Sequence, residues 1–313
     1  MSLYKRITEI DIAKGILIFF VILGHSPIDN WLASCIGSFH MAAFFCLSGF
    51  TYNYGVNLRE FMAKKTMSLL IPYIRFCVIL LLLATLKHIL HIGLDNYNLL
   101  SGIESIFFPY SGRYYTTVYF LWFLPCLFMV ESLMAFSQYV SARFHNPLMG
   151  GAILLFCSMA CIIFYALIHV PSIISIFPIG LLFFLIGVYG KPFLKEAKSH
   201  SWKVIPISFF LFLVTFYCNT HDNGYHIDLS SMHLGYWCLY VFTSFFGTLL
   251  TLSISSHISS SLIQWIGKNS IYYYGLHFCT IWIVDSFTNG IVCAILTLFI
   301  TTPLVLGYKK MFC

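Results

Sequence analysis

Charge is what this sequence has least of. Only 9% of its 313 residues are Asp, Glu, Lys or Arg, against about 25% in soluble domains. A water-facing surface cannot be built from that share, so a soluble enzyme or signalling module is excluded. The net charge of +6 sits in short loops rather than on one face, so no nucleic-acid partner is expected. There is no internal repeat, no low-complexity tract and no Gly-rich nucleotide loop. No stretch between apolar runs is long enough to fold as a separate soluble domain, so residues 1–313 read as one domain. The 11 Cys include no CxxC pair and fall mostly inside apolar runs. Cys157 and Cys161, one helical turn apart, lack His or carboxylate company and read as packing residues, so no metal is expected.

What is abundant is apolar and aromatic surface, 59% and 19% of the residues. Segments of membrane-crossing length recur near 10–26, 33–53, 68–91, 116–136, 149–169, 172–190, 204–219, 234–254, 262–284 and 288–307. The expected fold is therefore all-α, a polytopic helical bundle of about ten transmembrane spans in a lipid bilayer. The second segment is polar enough to be bent or re-entrant, and Pro171–Ser172 makes of the fifth and sixth a tight hairpin or one broken helix. Lys5, Arg6, Arg59, Lys64, Lys65, Arg143, Lys191, Lys195, Lys198, Lys203, Lys309 and Lys310 fall on one side. Arg113 and Lys87 fall on the other, with Asp29, Asp95, Glu104, Asp222, Asp228 and Asp285. The positive-inside rule then puts both termini in the cytoplasm. Leu32-Ala33-Ser34-Cys35 resembles a lipoprotein cleavage box, but a polar stretch separates it from the apolar run, so the first span is expected to stay uncleaved.

Against this background two polar residues of the first span stand out. Lys14 and His25 are eleven residues apart, which returns them to one helix face about 16 Å apart along the axis. Ionisable groups in hydrocarbon are costly and mark functional sites by default. An imidazole can take a proton from a hydroxyl near neutral pH; its blander role is to cap the helix end at the interface. Lys14 has its own bland reading, an ion pair with Asp11 three residues earlier. His25-Ser26-Pro27-Ile28-Asp29 spells HxxxD, but Pro27 disrupts the turn that would carry Asp29 under His25. Asp29 is left as a residue that orients the ring. Lys64, Lys65 and Arg75 would add to Lys14 a cationic funnel for phosphates on the cytoplasmic side. Positive-inside charge explains Lys64 and Lys65 equally well, and Arg75 less so. His40 and Ser48 in the second span, with Gly49, suit either helix packing or substrate contact. Glu131 in the fourth span needs a partner that the sequence does not name. The Tyr-rich outer stretches around Arg113 and around Asp222 read as an interfacial aromatic belt or as sugar-binding faces.

Several strings, in order, resemble the acyltransferase-3 family of integral membrane O-acyltransferases, its fucose 4-O-acetylase-like branch in particular. They are Asp11-Ile12-Ala13-Lys14-Gly15 leading to Gly24-His25, then Phe39-His40-Met41 with Phe44-Phe45-Cys46-Leu47-Ser48-Gly49-Phe50. Lys64-Lys65 with Ile71-Pro72-Tyr73, Leu121-Trp122-Phe123-Leu124-Pro125 and the segment from Gly267 to His277 follow. Ser68 departs from the pattern, standing where many relatives have an Arg. The resemblance implies an acyl-CoA donor, usually acetyl-CoA, and transfer to a hydroxyl of a carbohydrate acceptor. It makes Lys14 and His25 the central pair, to which the reading of the residues adds Asp29 as a third catalytic candidate. Lys14, Lys65 and Arg75 become candidate donor contacts. His40, Ser48, Arg113, Trp122 and His277 become candidate acceptor contacts. The expected protein is a bacterial inner-membrane O-acetyltransferase acting on a surface or exported polysaccharide or its lipid-linked precursor. The competing expectation is a transporter or exporter with buried His and Lys residues along its pathway and broken helices at its centre.

Overall fold

A helix with charges in it can cross a membrane only if protein, rather than lipid, surrounds it. The first helix, α1 (Thr8–His25), meets that condition: Ile10, Asp11, Ile12, Ala13, Gly15, Leu17, Ile18, Val21, Ile22 and Leu23 are all buried. A computed structural model describes residues 8–53, 57–91, 98–107, 118–169, 172–193 and 199–312. Arg113, Lys5, Arg6, Lys195, Lys198, Asp95, Pro171 and the Tyr-rich outer stretch 109–115 lie outside these.

The remaining helices are α2 (Asn30–Gly37), α3 (His40–Thr51), α4 (Leu58–Lys65), α5 (Ile71–Ile89), α6 (Leu99–Phe107), α7 (Phe123–Arg143), α8 (Pro147–Ile168), α9 (Ile173–Gly190), α10 (Ser201–Asn223), α11 (Trp237–Ser255), α12 (Ser261–Lys268), α13 (Ser270–Val284) and α14 (Gly290–Phe312). No strand occurs among the described residues, and the chain is an all-α multi-pass membrane protein. Eight helical stretches are long and apolar enough to cross a membrane. The other two expected spans correspond to α1, with Glu9, Asp11 and Lys14 in its first turns, and to α13, whose 15 residues reach about 22 Å.

Three segments differ from the simple spans read in the sequence. The second is broken at Ser38–Phe39 into α2 and α3, where the expected bend falls, and His40 opens α3. The third begins ten residues early, at Leu58, because Asn57 and Glu60 form a reciprocal cap: Glu60 N donates to Asn57 Oδ1 at 2.9 Å and Asn57 Nδ2 donates to Glu60 Oε1 at 2.8 Å. Between α4 and α5, Thr66–Leu70 winds as a π-helix, with Ile71 N–H on Thr66 O. Pro72 explains the slip: having no N–H, it cannot make the i→i−4 bond to Ser68. The ninth expected span is also two helices, broken at Asn269, whose side chain accepts from Lys309 Nζ at 2.8 Å and donates to Trp265 O at 2.8 Å.

The chain divides into two compact units, Met1–Phe50 with Ile186–Leu229 and His233–Cys313, and Thr51–Leu185 with Ser230–Met232. In the first, α1 packs against α2, α11, α12, α13 and α14. Its contact with α12 is backbone to backbone. A Cβ on Gly267 would fall on the carbonyl of Asp11, and one on Gly15 would fall on the carbonyl of Ile263. Gly187 of α9 likewise meets the Cys46 carbonyl of α3 beside Gly49. In the second unit α7 packs on α8, whose window of greatest hydropathy is not buried at all; only Gly150 is covered, against Ser137 and Ser141 of α7.

Gly267→Ala is expected to lower the melting temperature of the detergent-purified protein, because overpacking at a rigid backbone costs about 1–3 kcal/mol. Gly151→Ala, with nothing within 4 Å of its new methyl group, is the control and should melt as the parent does. Equal melting of all three proteins would refute the close α1–α12 contact.

Candidate active site

The site is built from the first unit, around the end of α1. His25 is the last residue of that helix; Ser26 and Pro27 end it, as the sequence predicts, and Gly290 N donates to Pro27 O at 2.8 Å just beyond. The His25 side chain is exposed but walled on one side. The Phe278 ring meets it edge-on at 4.8 Å between centroids, and the His277 ring lies 5.5 Å away at 30°. Lys14 sits on the same α1 stripe, half-buried, about 16 Å toward the other end.

His277 is the best enclosed of these residues, 0% exposed. Its Nδ1 lies 2.8 Å from Tyr274 O and 3.1 Å from Tyr273 O. Carbonyl oxygens only accept, so Nδ1 carries the hydrogen and, in the neutral ring, Nε2 carries the lone pair. That Nε2 is buried and has no hydrogen-bond partner among the described residues. An unmet buried acceptor costs about 1–3 kcal/mol.

His40 is held the same way. Its Nδ1 donates to Ile36 O at 2.7 Å, which leaves Nε2 as the acceptor, and it lies within electrostatic range of His25. The connection between α10 and α11 approaches this ring. Asn219, 0% exposed, donates to Leu234 O at 2.9 Å and accepts from Tyr236 N at 2.7 Å. Ile227 N donates to Ser34 Oγ at 3.2 Å, and Gly37 leaves room for the Ile227 carbonyl. Pinned at both ends, the segment brings Asp228 within electrostatic range of His40 and Tyr240.

Asp29 has a structural task. It is the N-cap of α2, and its Oδ1 accepts from Leu32 N at 2.9 Å. Ser48 spends its hydroxyl on Phe44 O at 2.9 Å, a back-bond within α3. The remaining candidates belong to the second unit. Lys65 is ion-paired with Glu131 at 2.7 Å, which supplies the partner that the sequence left unnamed. Arg75 is half-buried on α5, and Trp122 is buried at the start of α7, edge-on to Phe123 at 6.1 Å.

Sequence reasoning picked out His25, His40 and His277 singly but not their meeting. It missed Phe278 and Asp228 as neighbours of the site. Phe278 carried no signal among 32 Phe. Asp228 carried one: it stands between Ile227 and Leu229, an apolar pair out of place in a solvated loop, and both are buried.

The arrangement is an exposed imidazole at one end of a helix stripe and an ammonium at the other, with a fully buried second imidazole behind the first. It can accept a proton from a hydroxyl at His25 and hold an anion at Lys14. Searches among curated proteins and among solved structures return no match to this chain. A family model described as an acyltransferase domain matches residues 7–307, nearly the whole chain, and includes every described residue of the site. The chain belongs to the acyltransferase-3 family and is a membrane acyltransferase.

Proposed function

We propose that this chain is a bacterial inner-membrane O-acetyltransferase. It moves an acetyl group from cytoplasmic acetyl-CoA to a hydroxyl of a surface or exported polysaccharide, or of its lipid-linked precursor. The observation that carries the reading is the α1 stripe. Lys14 and His25 share one face of an unbroken helix, buried over much of its length from Ile10 to Leu23, with His25 exposed at its end. Their spacing of about 16 Å suits a donor whose phosphates rest at the cationic end and whose thioester reaches the imidazole. Lys65 and Arg75, expected from the sequence as donor contacts, belong to the second unit. His40, within electrostatic range of His25, is an acceptor contact on this reading.

In the reaction the acceptor oxygen attacks the thioester carbonyl while His25 takes the hydroxyl proton. The tetrahedral intermediate collapses, the C–S bond breaks, and the proton passes to the departing thiolate, which leaves as free CoA. The ester formed on the sugar carries the acetyl group.

Purified protein given acetyl-labelled acetyl-CoA and a glycan acceptor should form a labelled, alkali-labile ester. Surface glycans should lose one acetyl unit when the gene is deleted. Identical glycans with and without the gene, together with no donor-dependent ester, would remove the proposal. Lys14→Met is expected to raise the donor KM about tenfold or more, through loss of a charged hydrogen bond worth about 1.5–3 kcal/mol, with little change in kcat. An unchanged donor KM would take Lys14 off the donor.

A further inference from the structure

Three features of His277 do not fit a simple acceptor contact. It is completely buried, so a sugar cannot reach it without displacing its neighbours. Its tautomer is locked by two backbone carbonyls of its own helix. Its one remaining polar atom, Nε2, meets no donor among the described residues, although the His25 ring is its neighbour. An unmet acceptor this deep marks either a packing fault or an interaction completed in another state.

Geometry favours the second. Two imidazoles joined by an N–H···N bond of about 2.9 Å have centroids roughly 5 Å apart. The His25 and His277 centroids are 5.5 Å apart with only 30° between the planes. The rings stack at that distance, so a rotation of the exposed His25 ring is what would turn its N–H towards Nε2, whereas His277 is held from behind. His40 is a poorer partner: Asp228 already lies within electrostatic range of its ring, and it is half-buried rather than dry.

We infer that His277 is the positioning residue for His25: its Nε2 accepts the N–H of His25 and thereby fixes which His25 nitrogen faces the acceptor hydroxyl. The resulting chain runs from the Tyr273 and Tyr274 carbonyls through His277 to His25 and on to the hydroxyl. When His25 takes the hydroxyl proton it becomes a double donor, one N–H directed at His277 and the other at the departing sulfur. His277 gains no proton and loses none, so the transfer balances as written above. The role is that of the orienting carboxylate in hydrolase triads, filled here by a neutral ring that a dry, apolar site tolerates better than a charge. The inference rests on His25 being the base.

The test uses the full chain in lipid nanodiscs, with isotope-labelled histidine and nitrogen NMR, beside steady-state kinetics. The parent protein should show His25 in one tautomer. His277→Phe should release it to a mixture and lower kcat about 10²-fold, the lower end of what a positioned proton acceptor contributes. Both KM values should hold. His277→Gln, which keeps an acceptor at similar reach, should restore about tenfold of that loss and much of the single tautomer. A tautomer mixture in the parent would overturn the inference whether or not the variants fold. So would loss of kcat in His277→Phe with the His25 signals unchanged. If the parent transfers no acyl group at all, the proposed function fails instead, and the tautomer measurement still reports on the hydrogen bond.

Discussion

Replacing His25 with alanine is expected to abolish acyl transfer while leaving the protein inserted and folded. A positioned general base contributes about 10²–10⁴-fold, so residual ester formation should fall by at least two orders of magnitude. The fold should tolerate the change because His25 is exposed at the end of α1. Its ring meets Phe278 and His277, and the packing of α1 runs through Ile10 to Leu23. The measurement pairs donor-dependent ester formation with size-exclusion behaviour and thermal melting of the same preparation. Activity within tenfold of the parent, in a variant that melts normally, would remove His25 from the chemistry.

The second large effect concerns stability and lies in the other unit. Glu131 is 3% exposed in α7, and Lys65 Nζ sits 2.7 Å from its Oε2. Removing one member of a buried pair takes a partner from the other charge, which costs up to about 3–5 kcal/mol where the charge is left stranded. Lys65→Met should therefore melt far below the parent or fail to express. Replacing both groups with apolar ones removes the stranded charge along with the pair, an exchange that is often neutral or stabilising. Lys65→Met with Glu131→Leu should thus recover most of the loss. Equal melting of the parent and the Lys65 single variant would mean that the pair does not hold α4 and α7 together. The restored double variant also reads the role of Lys65: a donor KM like the parent's makes it structural, and a raised one returns it to the donor's phosphates.

These two experiments separate what the first unit does from what holds the second together, a division that residue types alone did not reveal. Lys14, Lys65 and Arg75 look alike in the sequence as basic residues near one membrane face. In the structure Lys65 has a buried carboxylate partner, while Lys14 lies along the His25 stripe. Asp29 looked like a companion of His25 and proves to cap α2. Pro27 was a sound guide there, because a missing N–H and a fixed φ act locally.

By itself the sequence determined the fold class, the helical segments to within a turn or so at most boundaries, and the Lys14–His25 stripe. Each follows from local physics: too little charge for a water-facing surface, apolar runs of bilayer length, and a fixed angle per residue along one helix. It also carried the family strings, since those residues stand in order along the chain. Only the tertiary structure decided that His277 lies behind His25, that Glu131 answers Lys65, and that the ninth segment breaks at Asn269. Those outcomes depend on where helices far apart in the chain approach. That approach is set by side-chain volume at the crossing points, as at Gly15 and Gly267, where the backbones of α1 and α12 touch. Periodicity along one helix carries no information about which other helix will fill its groove.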